Sequence, residues 1–235
     1  VRSQYLYDLN GNMLYVHAAG AGSTTRRLLW DEENRLTGIS DNGYISNYLY
    51  DASGERTVKM HGASEGVYVN GRLTASRLSN ADFTAYVSPY LVVSPGGNYT
   101  KHIYAGSQRI ASRLANGTMN ATTITKAGGS AVNYTTKRTR LQNALIAEYD
   151  SLGAVYTAMP VSFTGSGTNS GNLLYFYHPD HLGSSSLITN ADGIVTQHVE
   201  YVPFGEVFIE ERNSTWNTPY LFNAKELDEE TGLYY

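Results

Sequence analysis

Two imidazoles and a carboxylate stand together in His178-Pro179-Asp180-His181, the cluster in this 235-residue chain whose residue types could hold a metal ion or activate a nucleophile. Pro179 disfavours helix at His178, so the pair does not share one helical face. A structural reading is preferred: Asp180 caps a turn through its own side chain, and the histidines hydrogen-bond at strand ends. A hydrolase or metal site at His178 and His181 is the lesser alternative. His17, His61, His102 and His198 are isolated in sequence and receive no site. There is no cysteine, which removes disulfides, thiol nucleophiles and zinc fingers. Gly20-Ala21-Gly22 and Gly165-Ser166-Gly167 lack the third glycine and the Lys-Ser/Thr ending of phosphate loops. No catalytic residue, cofactor or metal is assigned, and the chain is read as non-enzymatic.

Asp180 belongs to a spacing that recurs. Tyr5-Leu6-Tyr7-Asp8-x-x-Gly11 returns as Leu29-Trp30-Asp31-x-x-Asn34 and as Tyr48-Leu49-Tyr50-Asp51-x-x-Gly54, with 23 residues between the first two aspartates and 20 between the next two. Tyr149-Asp150-x-x-Gly153 reads as a later copy, and Asp180-x-x-Gly183 keeps the spacing. Each copy predicts a hairpin: alternating residues make the strand, Asp caps the turn, and Gly or Asn takes the left-handed position. Tyr7, Trp30, Tyr50 and Tyr149 would anchor packing between strands. Further hairpin turns are expected at Asn10-Gly11, Asn42-Gly43, Asn70-Gly71 and Asp192-Gly193. One hairpin cannot bury its own face, so the pattern predicts a mainly β fold in which repeated antiparallel hairpins form one continuous curved sheet.

The repeat is interrupted in the middle third, where Ser94-Pro95-Gly96-Gly97-Asn98 and Lys126-Ala127-Gly128-Gly129-Ser130 alternate with short strand-like runs. Leu141, Leu145 and Tyr149 fall at i, i+4 and i+8 with Ile146 beside them, predicting a helix over 135–149 that packs on the sheet and stops at Gly153. Lys137 and Arg138 in its first turn oppose the macrodipole. The expected organisation is hairpins over 1–60, an irregular β insertion with the helix over 61–158, and further hairpins over 159–235.

Composition narrows the function. A formal charge of -4 offers no basic field for nucleic acid. No apolar run is long enough for a membrane span, and the start Val1-Arg2-Ser3-Gln4-Tyr5 has no apolar leader, so the chain reads as a piece of a longer one. Hydrophobic residues make up 41% and charged residues only 16%, which suits a folded core. The 20 tyrosines at strand positions favour cross-strand cohesion, with a carbohydrate-binding adhesion module as the alternative class. Asn98, Asn116, Asn120, Asn133 and Asn213 head sequons that Asn- and Thr-rich sequence makes by chance.

Two later tracts carry a family resemblance. One runs Tyr175-Phe176-Tyr177-His178-Pro179-Asp180-His181-Leu182-Gly183-Ser184 and on through Asp192-Gly193 to Glu200-Tyr201-Val202-Pro203-Phe204-Gly205-Glu206. The other runs Pro219-Tyr220-Leu221-Phe222-Asn223-Ala224-Lys225-Glu226-Leu227 to Thr231-Gly232-Leu233-Tyr234-Tyr235. With the units at Asp8, Asp31 and Asp51, they resemble RHS/YD-repeat proteins and their repeat-associated core region. The resemblance implies a shell of hairpins around a C-terminal toxin-like effector, in a bacterial protein that is secreted or at the cell surface. Its partners would be the rest of its own polypeptide; apart from the resemblance, the open edges of a cut sheet predict edge-to-edge self-association of the fragment. Pro203, Gly205, Glu226 and Gly232 enter as motif residues on that ground alone. Asn223-Ala224 departs from a Thr-Gly pair common there, and no self-cleavage residue is carried over.

Overall fold

The structure is a computed structural model that describes residues 3–18, 24–69, 72–78, 82–116, 134–153, 173–214 and 216–235. The Asn70-Gly71 turn, both Gly-x-Gly segments and the 126–130 cluster lie outside them. The fold is mainly antiparallel β, with one α-helix among the described residues. The chain divides into two compact units, Val1–Thr84 with Asn120–Phe163, and Ala85–Met119 with Thr164–Tyr235.

In the first unit β1 (Ser3–Tyr7), β2 (Met13–Ala18), β3 (Thr24–Trp30), β4 (Leu36–Asp41), β5 (Tyr44–Tyr50), β6 (Arg56–Val69) and β7 (Arg72–Leu78) each pair antiparallel with the next. Asn42-Gly43 makes the two-residue β4–β5 turn, with φ of 51° and 90°. The helix α1 (Tyr134–Leu152) lies against β4 and β5: Tyr149 and Leu152 pack with Ile45, and Leu29 joins them. Gly38 permits this approach, since a Cβ there would lie 3.2 Å from Asn47 Nδ2 and 3.3 Å from Leu152 Cδ1.

The helix corrects two expectations. Its buried line is Leu145, Tyr149 and Leu152, while Leu141 and Ile146 are exposed, because the sheet meets the i, i+4, i+7 stripe. Tyr149-Asp150-Gly153 is the end of this helix and not a hairpin. Gly153, at φ 76°, donates its N–H to the Asp150 carbonyl at 3.0 Å, a left-handed helix stop. Within a helical run the Asp-x-x-Gly spacing closes a last turn as readily as it closes a strand.

In the second unit, which takes β8 (Asp82–Ser88) from Ala85 onward, β8, β9 (Leu91–Ser94), β10 (Asn98–Ala105), β11 (Gln108–Asn116), β12 (Leu173–Pro179), β13 (Ser185–Asn190), β14 (Val195–Tyr201) and β15 (Val207–Arg212) also pair in order. Tyr175, Tyr177 and Ile188 form the core with Leu114 and Trp216. The tail after β15 turns back over this face, with Trp216 4.2 Å from the Tyr175 ring, and ends in the small ladder of β16 (Leu227–Asp228) and β17 (Leu233–Tyr234).

Candidate functional site

Five turns share one construction. The Oδ1 of Asp8 accepts the N–H groups of Asn10 and Asn12 at 2.9 and 2.7 Å, and that of Asp31 those of Glu33 and Arg35, both at 2.9 Å. Asp51 accepts from Ser53 and Glu55, and Asp180 from Leu182 and Ser184. Asn190, which no Asp-based search finds, does the same for Asp192 and Ile194. The fourth position is left-handed each time: Gly11 at φ 85°, Asn34 at 59°, Gly54 at 89°, Gly183 at 87° and Gly193 at 77°. A side-chain acceptor plus one left-handed residue is what a tight turn with a bulge requires, and the register shifts beside each turn. The Ser53 hydroxyl and the Glu55 N–H hold the Asp51 carboxyl below its ordinary range. Burial pushes Asp31 up, but the Arg35 and Glu33 donors outweigh it and leave it low.

Two further turns keep the backbone pattern without the cap. Val202 donates to Glu206 O at 2.9 Å with Pro203 inside the turn and Gly205 at φ 93°, while Leu221 donates to Lys225 O with Asn223 and Ala224 both left-handed. The second shows how a sequence without Thr-Gly still makes the bend.

Three turns, those at Asp31, Asp51 and Val202, are each tied to an earlier turn on the same end of the sheet by the aromatic residue just before them. Trp30 Nε1–H donates to Met13 O, Tyr50 Oη–H to Leu36 O, and Tyr201 Oη–H to Ser185 O, each at 2.8 Å. In every case the acceptor lies five residues beyond the capping residue of the preceding turn on that end. The amides of Asn10 and Asn12 add bonds to Asn34 Oδ1 at 3.1 and 2.7 Å. Tyr7 holds the same register but is 56% exposed, so it anchors no packing: its strand β1 pairs with β2 alone among the described strands.

The histidine cluster does not converge. His178 Nε2 lies 3.0 Å from Thr189 Oγ1 on an exposed face, His181 is exposed, and Asp180 is occupied with its turn. Among the described residues no group of three or more His, Asp or Glu side chains is placed to hold a metal ion. Glu226 is buried and accepts the Tyr86 hydroxyl at 2.7 Å. Gly232, at φ 70°, turns the chain between β16 and β17, and Tyr234 Oη–H donates to Gly205 O at 2.9 Å.

Sequence reasoning missed a buried polar chain in the second unit. His102 Nδ1 lies 2.8 Å from Ser112 Oγ, which lies 2.9 Å from Tyr177 Oη, which lies 2.8 Å from Thr218 Oγ1. A histidine beside a serine is the geometry of base and nucleophile, yet Ser112 is 0% exposed and no carboxylate among the described residues orients the ring. Burial, and then the Arg109 charge, lower His102 to about 3, so the ring is neutral at pH 7. Burial pushes the Tyr177 hydroxyl up. The Tyr220 ring meets His102 edge-on at 5.0 Å, and the Arg109 guanidinium lies 3.3 Å from the centre of that ring. The members come from β10, β11, β12 and the tail, so no local spacing signals them.

No family model matches the chain, and no curated protein does. Among solved structures, it is similar to the crystal structure of TcdB2-TccC3 without its hypervariable C-terminal region, at 14% identity and a TM-score of 0.49. It is also similar to the Tc holotoxin pore of Photorhabdus luminescens, at 14% identity and a TM-score of 0.46. Each match covers 99% of this chain and 11% of the other, so the chain spans about a tenth of those chains' length.

Proposed function

We propose that this chain is a wall segment: hairpins laid side by side whose task is mechanical, in a bacterial polypeptide that is secreted or displayed and that encloses or presents a C-terminal effector. The observation that carries the reading is the set of bonds from Trp30, Tyr50 and Tyr201 to the turn before. They link one hairpin to its neighbour by a rule that any number of further hairpins can follow, which is what an extended wall needs. The burial of the serine–histidine pair and the engagement of the capping aspartates by their own backbone support a mechanical reading over a chemical one.

The test uses the whole parent polypeptide. Limited proteolysis should spare the segment that follows the wall, and Trp30→Ala with Tyr50→Ala should expose it without changing its sequence. Equal digestion in both proteins overturns the enclosing role.

A further inference from the structure

The C-terminal tail meets the second unit's sheet through buried polar groups as well as through the Trp216 and Phe222 rings. Among its described residues Thr218, Glu226, Asp228 and Thr231 are buried, with Leu221. Thr218 N–H donates to Gln197 Oε1 at 3.0 Å, Ser185 Oγ–H to Tyr220 O at 2.6 Å, and Asn223 N–H to Ser184 Oγ at 3.1 Å. The His102–Ser112–Tyr177–Thr218 chain fastens it from beneath. A buried chain of neutral groups tolerates an added charge only where an acceptor or counter-charge compensates it.

His102 is the member that cannot accommodate a proton. It is 5% exposed, and its Nε2 is buried with no hydrogen-bond partner among the described residues. The ionisable groups around it offer no compensating acceptor: Arg109 on β11 is a cation, Tyr177 on β12 and Tyr220 on the tail are neutral phenols, and Lys101 on its own strand points to the other face, over Tyr99. Glu226, the tail's nearby carboxylate, is engaged by Tyr86. An imidazolium would place a second charge beside Arg109 in a dry site. We propose that His102 is an acid-sensitive catch, and that its protonation releases residues 216–235 from the β10–β12 face.

The size of the effect follows from linkage. With the tail docked the ring stays neutral down to about pH 3, whereas a solvated histidine takes its proton near 6.5. The equilibrium for tail release should therefore rise roughly tenfold per pH unit below 6.5, or roughly 30- to 100-fold by pH 4.5. The chain has no cysteine, so Leu221→Cys gives the tail a single buried thiol. Its labelling by 4,4′-dithiodipyridine, divided by the rate of the same thiol in denaturant at each pH, measures opening. Val93→Cys, buried on β9 and paired with Tyr99 on the face opposite His102, reports global unfolding.

The expected result is that 30- to 100-fold rise at position 221, a much smaller one at 93, and a change of less than about threefold at 221 when His102→Gln is added. A flat response at 221, an equal slope at 93, or an unchanged slope with His102→Gln overturns the catch. If His102→Gln does not fold, His102→Asn replaces it, and the slope at 221 relative to 93 still decides.

Discussion

Gly205→Ala separates two penalties that other turn glycines do not combine. At φ 93° an L-residue is strained by about 1–2 kcal/mol, and Gly193, at φ 77° with nothing within 4 Å of its absent Cβ, carries only that part. At Gly205 the new Cβ would also lie 2.6 Å from Cδ1 and 2.8 Å from Cγ of Phe222, well inside the 3.4 Å of ordinary contact. Phe222 is itself held between Tyr201 at 5.7 Å and Tyr234 at 6.3 Å, so it cannot swing away freely. Overpacking of this kind adds about 1–3 kcal/mol. The total for Gly205→Ala is about 2–5 kcal/mol, against about 1–2 for Gly193→Ala. Urea unfolding in a Trp30→Phe background, followed by the fluorescence of Trp216 beside Tyr175, reads the second unit alone. Adding Phe222→Leu should lower the penalty of Gly205→Ala to the Gly193 level, a coupling of about 1–3 kcal/mol. Equal losses for the two alanine variants, or no coupling to Phe222, would refute the reasoning.

Tyr50→Phe keeps the ring and removes the bond to Leu36 O, so unfolding should become easier by about 1 kcal/mol, and Tyr201→Phe should match it if the two ties are equivalent. Gly38→Val should lift α1 from the sheet, seen as loss of amide protection over Leu145–Leu152 while β5 stays protected, because its first carbon already crowds Asn47 and Leu152. Burial raises the Glu148 carboxyl, so its ionisation opposes folding: this unit should lose stability as pH rises from the ordinary carboxylate value through the folded one. Glu148→Gln should then raise the melting temperature at pH 7 and flatten that slope. Unchanged pH dependence in the variant would contradict it.

The turns were legible because their chemistry is local. An acidic acceptor, two intervening residues and a left-handed position all lie within five residues, so Asp8, Asp31, Asp51 and Asp180 announce their hairpins whatever surrounds them. The same locality misled at Asp150, where helical periodicity competed for the same letters and the sheet decided for the helix by burying Tyr149 and Leu152. Only strand register decided the rest. Tyr7 and Tyr50 are alike in sequence, yet one is exposed and the other reaches Leu36 O, since a hydroxyl is useful only where a neighbouring turn presents a carbonyl. His102 meets Ser112, Tyr177 and Thr218 because antiparallel pairing sets β10, β11 and β12 side by side and the tail lies over them, a distance in space that no spacing along the chain encodes.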